Sequence, residues 1–273
     1  MSKDLSVMYD ENLTFIDFTQ DSRSFIRDAF SLAYVSAPTN HLYIGLYKPF
    51  YNFFIELTTV AENPVLDFEY FDGSIWKALS VIDSTKNLKR SGFIQWEREL
   101  SDWVSTAINE KDRYFVRVSA NIDFTAVIDG LNIVFSDDND LIKLERRIMK
   151  QLAKGDKSFI AYHESALEEI IQRYRNSGNN KRKEGTSLLE KITKWDILDI
   201  ENLRQASKFL TMAKIMFDVS EQNEDKYYQK FHDYMGQFGE AFRLNIQRLD
   251  KNDDGKIDII ENNTKRSVQM VRL

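Results

Sequence analysis

Apolar residues recur in two rhythms along this chain. Up to about residue 135 the rhythm is short and close to period two. Leu42-Tyr43-Ile44-Gly45-Leu46-Tyr47 and Phe53-Phe54-Ile55-Glu56-Leu57 are rich in aromatic and branched residues, the composition of strands. In Val65–Phe71, Leu66, Phe68 and Tyr70 alternate with Asp67 and Glu69, so one face is apolar and the other wet. Asp72-Gly73-Ser74 reads as a hairpin turn, with Ile75–Leu79 as the return strand. Tyr114–Val118, Ala126–Ile128 and Leu131–Phe135 continue the set, while Phe25, Ala29, Phe30 and Ala33 suit a short helix or a strand. Strands at this spacing predict an antiparallel β-sandwich.

Beyond residue 139 the period lengthens to that of helices. Leu141, Leu144, Ile148 and Leu152 recur at helical spacing, then Phe159 or Ile160, His163, Leu167, Ile170 or Ile171, and Tyr174. Asn176–Gly185 is polar and glycine-bearing, a solvated loop. Asp199 is placed to cap a helix over Ile200–Phe217. Tyr228, Phe231, Met235, Phe238, Phe242, Ile246 and Leu249 then form one stripe in steps of three and four, the buried face of a long helix.

The change of rhythm sets an α+β reading with two domains: residues 1–138 as an antiparallel β-sandwich, and residues 139–273 as an α-helical bundle. Charge changes at the same place. Residues 1–138 carry 12 basic and 21 acidic side chains, the remainder 25 and 22. All three prolines and three of the four tryptophans lie in the first part. Ser136-Asp137-Asp138-Asn139-Asp140 is too polar to be core on its face, and it can cap the helix that follows.

Composition excludes whole classes of chemistry. With no cysteine among 273 residues there is no disulfide framework, zinc-thiolate site, iron–sulfur cluster or cysteine nucleophile. Three histidines argue against a multi-histidine metal centre, and a net charge of −6 argues against nucleic acid as the main ligand. Apolar runs fall short of a membrane span, and Met1–Asp4 does not begin a secretory signal, so folding in the cytosol is expected. Gly185-Thr186-Ser187 lacks the lysine and the preceding glycine of a phosphate loop, and there is no G-x-S-x-G. His41, His163 and His232 are scattered, and His163 and His232 read as helix-surface or partly buried imidazoles. Lys181-Arg182-Lys183 reads as a solvated loop. Trp76, Trp96 and Trp103 are expected in the sandwich core.

One segment has the spacing of a metal site. Asp250 to Glu261 fits a twelve-residue calcium loop: Asp250, Asn252 and Asp254 at alternating positions, Gly255 at the sharp turn, Lys256 through its carbonyl, Asp258 through water, and Glu261 with both carboxylate oxygens. It follows a strong helix, but the 12 residues after Glu261 alternate like a short terminal strand, and no partner loop exists. The expectation is a structural calcium site that neutralises Asp250, Asp254, Asp258 and Glu261.

Two stretches resemble virion proteins of tailed phages. Glu69-Tyr70-Phe71-Asp72-Gly73-Ser74-Ile75-Trp76, Asp83-Ser84-Thr85, Ser91-Gly92-Phe93-Ile94, Asp102-Trp103 and Tyr114-Phe115-Val116-Arg117-Val118 resemble a β-sandwich module of such particles, over residues 42 to 135. Residues 139 to 273 resemble the helical head–tail connector, or neck adaptor, where a long helix is followed by a D-x-N-x-D-G-x-I-D loop and a basic tail; Asp250–Glu261 and Arg266–Leu273 carry that likeness. The resemblance implies a structural part and no enzyme. It implies a ring, usually of twelve copies, below the portal protein, which extends the DNA channel to tail or neck proteins, with genomic DNA passing without sequence specificity. The place implied is the virion neck, after assembly in the host cytoplasm, away from any membrane. The alternative is a baseplate or fibre-attachment protein whose sandwich binds carbohydrate.

Overall fold

A computed structural model describes residues 5–19, 30–96, 100–176, 181–182, 189–190, 193–197, 200–220 and 226–244. Among the described residues, antiparallel sheets occupy the N-terminal part and four helices the C-terminal part, an α+β chain. It divides into two compact units, residues 2–133 and residues 134–273.

Among the described residues of the first unit there are twelve strands: β1 (Ser6–Glu11), β2 (Thr14–Asp17), β3 (Phe30–Tyr34), β4 (His41–Leu46), β5 (Asn52–Thr59), β6 (Leu66–Phe71), β7 (Trp76–Ala78), β8 (Val81–Asp83), β9 (Gly92–Trp96), β10 (Thr106–Ile108), β11 (Lys111–Ala120) and β12 (Phe124–Asn132). One sheet runs β2-β1-β4-β11-β6-β7 with β10 on β11, the other β3-β12-β5-β9-β8. The pairings are antiparallel. The period of two explains the faces. Phe68 and Tyr70 are buried while Asp67 is exposed. Ile44, Phe68 and Val118 from one sheet and Phe53, Ile94 and Ile128 from the other line a shared interior cavity.

Several elements go beyond the expectation. β1 and β2 form a hairpin through Asn12 and Leu13, both left-handed (φ 52° and 67°), and Asn109-Glu110 does the same between β10 and β11 (φ 44° and 63°). No glycine announces either turn. Phe30 settles into a strand with alternating burial; Phe25 and Ala29 lie outside the described residues. β12 ends at Asn132, and Ile133–Phe135 continue as buried chain outside the sheet. The Asp72-Gly73-Ser74 turn forms as expected: the Asp72 carboxylate accepts from the backbone N–H groups of Ser74 and Ile75, both at 2.8 Å, and Gly73 takes φ 100°.

The second unit contains α1 (Asp138–Leu144), a 3₁₀ turn (Ile148–Gln151), α2 (Ile160–Asn176), a two-stranded ribbon of β13 (Lys181–Arg182) and β14 (Leu189–Glu190), a 3₁₀ turn (Lys194–Asp196), α3 (Ile200–Asp218) and α4 (Lys226–Leu244). The spacing of Leu141, Leu144, Ile148 and Leu152 does not make one helix. The chain turns extended at Glu145 (φ −135°), whose carboxylate meets Lys230 and Tyr234 of α4. Leu141 and Ile148 are still both buried, from different elements. Lys181-Arg182 belongs to the ribbon, not to an unpaired loop; Lys183, Gly185 and Asp199 lie outside the described residues. On α4, Tyr234 and Phe238 are buried, and Phe231, Met235 and Phe242 are half-buried. Among the described residues no helix is long and apolar enough to cross a membrane.

The polar run at the boundary corrects the sequence reading. Ser136, Asp137, Asp138 and Asp140 are all buried, the first two at 0% and 1% exposure. Partners from distant helices reverse what the composition implies.

Candidate functional site

The loop residues Asp250, Asn252, Asp254, Lys256, Asp258 and Glu261 lie outside the described residues, as do Ile246 and Leu249 of the helical stripe. Among the described residues no group of three or more His, Asp or Glu side chains is arranged to hold a metal ion.

The densest chemistry of the helical unit gathers where α1 begins. Asp137 is the N-cap: its carboxylate accepts from the Asp140 N–H at 3.0 Å, and the Asp140 carboxylate accepts from the Asp137 N–H at 3.3 Å. This is a capping box with aspartate in the usual glutamate place. α3 supplies Arg204, whose Nε and Nη2 donate to Asp140 Oδ2 and Oδ1 at 2.6 and 2.7 Å, a bidentate fork. Its Nη2 also stands 3.5 Å from Asp137 Oδ2. α2 supplies His163, with Nε2 3.3 Å from Asp138 Oδ1 and Nδ1 2.9 Å from Ser136 Oγ. Asp138 Oδ1 also accepts from the Phe159 N–H at 3.0 Å. Ser136 Oγ lies 2.9 Å from Ser207 Oγ, and the Thr211 hydroxyl donates to the Ser207 carbonyl at 2.9 Å.

Charge this deep in a protein persists only when paired. Here the Asp137, Asp138 and Asp140 carboxylates lie beside the Arg204 guanidinium and the His163 imidazole. Burial, with the charge of Asp140 beside it, pushes the Asp137 carboxyl up to about 6; Arg204 and the cap hydrogen bond pull the other way.

Ser136, His163 and Asp138 have the residue types and the order of contacts of a hydrolytic triad. Their placement does not suit catalysis. Ser136 and His163 are 0% exposed, and Ser207 occupies the other side of the Ser136 hydroxyl. His163 is thus neither a surface nor a partly buried imidazole; it is a fully buried tie between α1, α2 and α3. The cap was legible in the sequence, because aspartates precede an apolar helix. Arg204 and Ser207 were not, because nothing local marks them as partners of residues more than sixty positions earlier.

The residues of the N-terminal motif also form structure. Asp83 accepts from the Thr85 N–H at 2.7 Å and from the Asn87 N–H at 2.6 Å, fixing the turn before β9. Ser91 Oγ accepts from the Leu57 N–H at 2.9 Å. A Cβ on Gly92 would sit 2.9 Å from the Ser84 carbonyl carbon and oxygen, so only glycine lets the strand pass there. Asp102 accepts from Tyr70 at 3.0 Å and Lys77 at 2.7 Å; these contacts hold its carboxyl below the usual range although desolvation opposes them. Trp103 is buried against Phe50, Trp96, Tyr70 and Tyr114.

Two surfaces have the makings of contact sites. On the outer side of the larger sheet, Met8, Tyr43 and Phe115 are buried beneath Phe15, Trp76 and Ile108. The Arg117 guanidinium lies 4.5 Å from the Trp76 ring centroid and donates to Glu69 at 2.6 Å. Trp96 and Trp103 are core as expected, whereas Trp76 is only half-buried. In the helical unit an open groove runs between α2, α3 and α4, with Leu210, Phe217, Phe231 and Met235 as its apolar part and Phe217 54% exposed. Its rim charges are paired internally: Lys214 with Glu169 at 2.8 Å, and the Tyr162 hydroxyl donating to Asp218 at 2.6 Å. Burial and the Asp218 carboxylate push the Tyr162 hydroxyl up to about 12.

No protein-family model, no curated protein and no solved structure matches this chain.

Proposed function

We propose that this chain is a structural virion protein of a tailed phage, a head–tail connector or neck adaptor that forms a ring below the portal. One observation supports the reading above the others. Asp83, Ser91, Gly92, Asp102 and Trp103, among the residues through which the N-terminal part resembles a phage sandwich module, hold a turn, a strand crossing or the aromatic core. None is left over as a reagent. The buried Ser136–His163–Asp138 grouping supports the same reading, since it fastens helices together and has no open side. In this proposal identical copies close into a ring, probed first as a dodecamer, that passes DNA without reading it and meets the portal and the tail or neck proteins. The virion neck is its proposed place. Half-buried Phe231, Met235 and Phe242 on α4 are apolar surface that neighbours in a ring can cover.

Co-expression with the portal protein of the same phage, followed by sedimentation and negative-stain imaging, is expected to show rings of this chain on portal rings. A chain that stays monomeric beside the portal overturns the connector reading. If such a monomer binds bacterial surface glycans and Trp76→Ala abolishes it, the baseplate or fibre-attachment reading takes its place; half-buried Trp76 on the outer sheet face is the observation that favours it.

Calcium is part of the proposal through Asp250, Asn252, Asp254, the Lys256 carbonyl, Asp258 and Glu261, a hard all-oxygen donor set. Free calcium about a hundredfold above its dissociation constant is expected to stabilise the fold by about 2.7 kcal/mol relative to chelator. Asp250→Ala with Glu261→Gln abolishes the gain. An unchanged melt together with metal-free purified protein removes the ion and leaves the connector proposal standing.

A further inference from the structure

The stretch that leads from α1 to α2 concentrates positive charge. Between residues 143 and 157 the sequence holds six basic side chains, Lys143, Arg146, Arg147, Lys150, Lys154 and Lys157, against two acidic ones, Glu145 and Asp156. Apolar anchors turn the cations outward. Leu141, Ile148 and Phe159 are buried, while all six basic residues are exposed. The N–H groups of Glu145, Ile148, Lys150 and Asp156 donate to the carbonyls of Leu141, Glu145, Arg147 and Ala153, so the chain winds through successive tight turns and the charges stay on one short segment.

These cations have no counter-charge of their own. Among the described residues none of the six makes an ion pair or a side-chain hydrogen bond. Glu145 is engaged by Lys230 of α4, and Asp138 and Asp140 by His163 and Arg204. Lys77, Lys111, Arg117, Arg173 and Lys214, by contrast, each meet a carboxylate. Like charges crowded within the screening length, about 8 Å at physiological salt, repel one another, and a polyanion relieves that repulsion.

The kind of polyanion follows from what the segment lacks. The large apolar side chains that the chain exposes, such as Ile75 and Phe217, all lie outside residues 141–160. A protein partner is met through an apolar and aromatic centre from which lysine is depleted. Nucleic-acid interfaces are more polar and much more positive. No neighbouring side chain holds any of the six in a fixed orientation, so the segment is suited to phosphates and not to base edges.

We propose that the exposed stretch from Lys143 to Lys157 is a contact surface for the phosphate backbone of double-stranded DNA, weak and indifferent to sequence. The proposal rests on the connector reading for the presence of DNA and adds the residues that meet it. An overall charge of −6 keeps the contact weak, which suits a duplex that slides past.

Fluorescence anisotropy of labelled duplexes with the full chain tests the surface. Two duplexes of unrelated sequence are expected to bind equally, in roughly the micromolar range at about 50 mM salt. Each neutralised phosphate contributes about −0.9 to the slope of log K against log salt, so contacts from all six cations give about −5. Combining Arg146→Gln, Arg147→Gln, Lys150→Gln and Lys154→Gln is expected to bring the slope to about −2. Lys86→Gln with Lys89→Gln, exposed on the sandwich, is expected to leave it unchanged. No saturable binding below about 100 μM, or a wild-type slope in the quadruple variant, overturns the proposal.

A second measurement needs no variant. Acetylation of the wild-type chain, read by mass spectrometry, is expected to slow at Lys143, Lys150, Lys154 and Lys157 when duplex is added, and not at Lys86 or Lys89. Equal labelling with and without DNA overturns the surface. Protection of the same lysines without DNA, in oligomers that the quadruple variant cannot form, also overturns it and gives the segment to an acidic surface of a second copy. The connector reading is judged separately. Rings that form on the portal from a chain indifferent to DNA leave that reading standing while this one falls, and a monomer that binds DNA through these residues does the reverse.

Discussion

Arg204→Met is expected to destabilise the helical unit by about 3–5 kcal/mol, the range for removing one partner of a buried ion pair. The guanidinium makes two hydrogen bonds to Asp140 and stands near Asp137, and all three residues are at most 7% exposed. Methionine fills similar volume, so lost packing contributes little; the damage comes from two carboxylates left in a dry site. Arg204→Lys is expected to recover only part of the loss, since a single ammonium cannot reproduce the fork. Adding Asp137→Asn and Asp140→Asn to Arg204→Met removes the stranded charges and is expected to restore much of the stability. Urea unfolding followed at 222 nm measures all of these. A change under about 1 kcal/mol for Arg204→Met means the cluster carries far less of the fold than its geometry implies.

Gly45→Val is expected to be as damaging in the sandwich, by about 3 kcal/mol or more, at or beyond the top of the overpacking range. A Cβ at this position would lie 2.2 Å from Phe115 Cδ1 and 2.3 Å from Cε1. Phe115 cannot swing aside, because it is 0% exposed and packed against Met8 and Tyr43. Nor can the backbone yield: β4 lies between β1 and β11, so shifting it disturbs two ladders. Phe115→Leu combined with Gly45→Ala is expected to recover stability relative to Gly45→Ala alone, since the smaller side chain vacates the space. Tryptophan fluorescence during urea unfolding reads the effect, with Trp96 and Trp103 buried in the same unit. A wild-type midpoint for Gly45→Val contradicts the packing described.

Both sites illustrate which parts of this molecule are local. The alternation of Leu66, Phe68 and Tyr70 against Asp67 and Glu69 settles the two faces of β6, because strand geometry has a period of two whatever lies across the sheet. The Asp72-Gly73-Ser74 turn and the Asp137 cap are likewise legible, since a short side chain reaches backbone groups only two or three residues away. The edge hairpins at Asn12-Leu13 and Asn109-Glu110 are not, because their left-handed residues include leucine and glutamate, which ordinarily avoid that conformation. Helical spacing also misleads after Leu144, where the Glu145 contacts with α4 accompany the end of the helix.

Taken alone, the order of residues determined the α+β division, the strand faces, the apolar stripe of α2 and the capping of α1, all interactions within a few positions of one another. Tertiary structure alone decided that Ser136–Asp140 is interior, that His163 is a tie between helices, and that Gly45 must stay bare beneath Phe115. The physical reason is range. Burying a charge or closing a gap depends on partners such as Arg204, 64 positions from Asp140, and those become neighbours only when the helices pack.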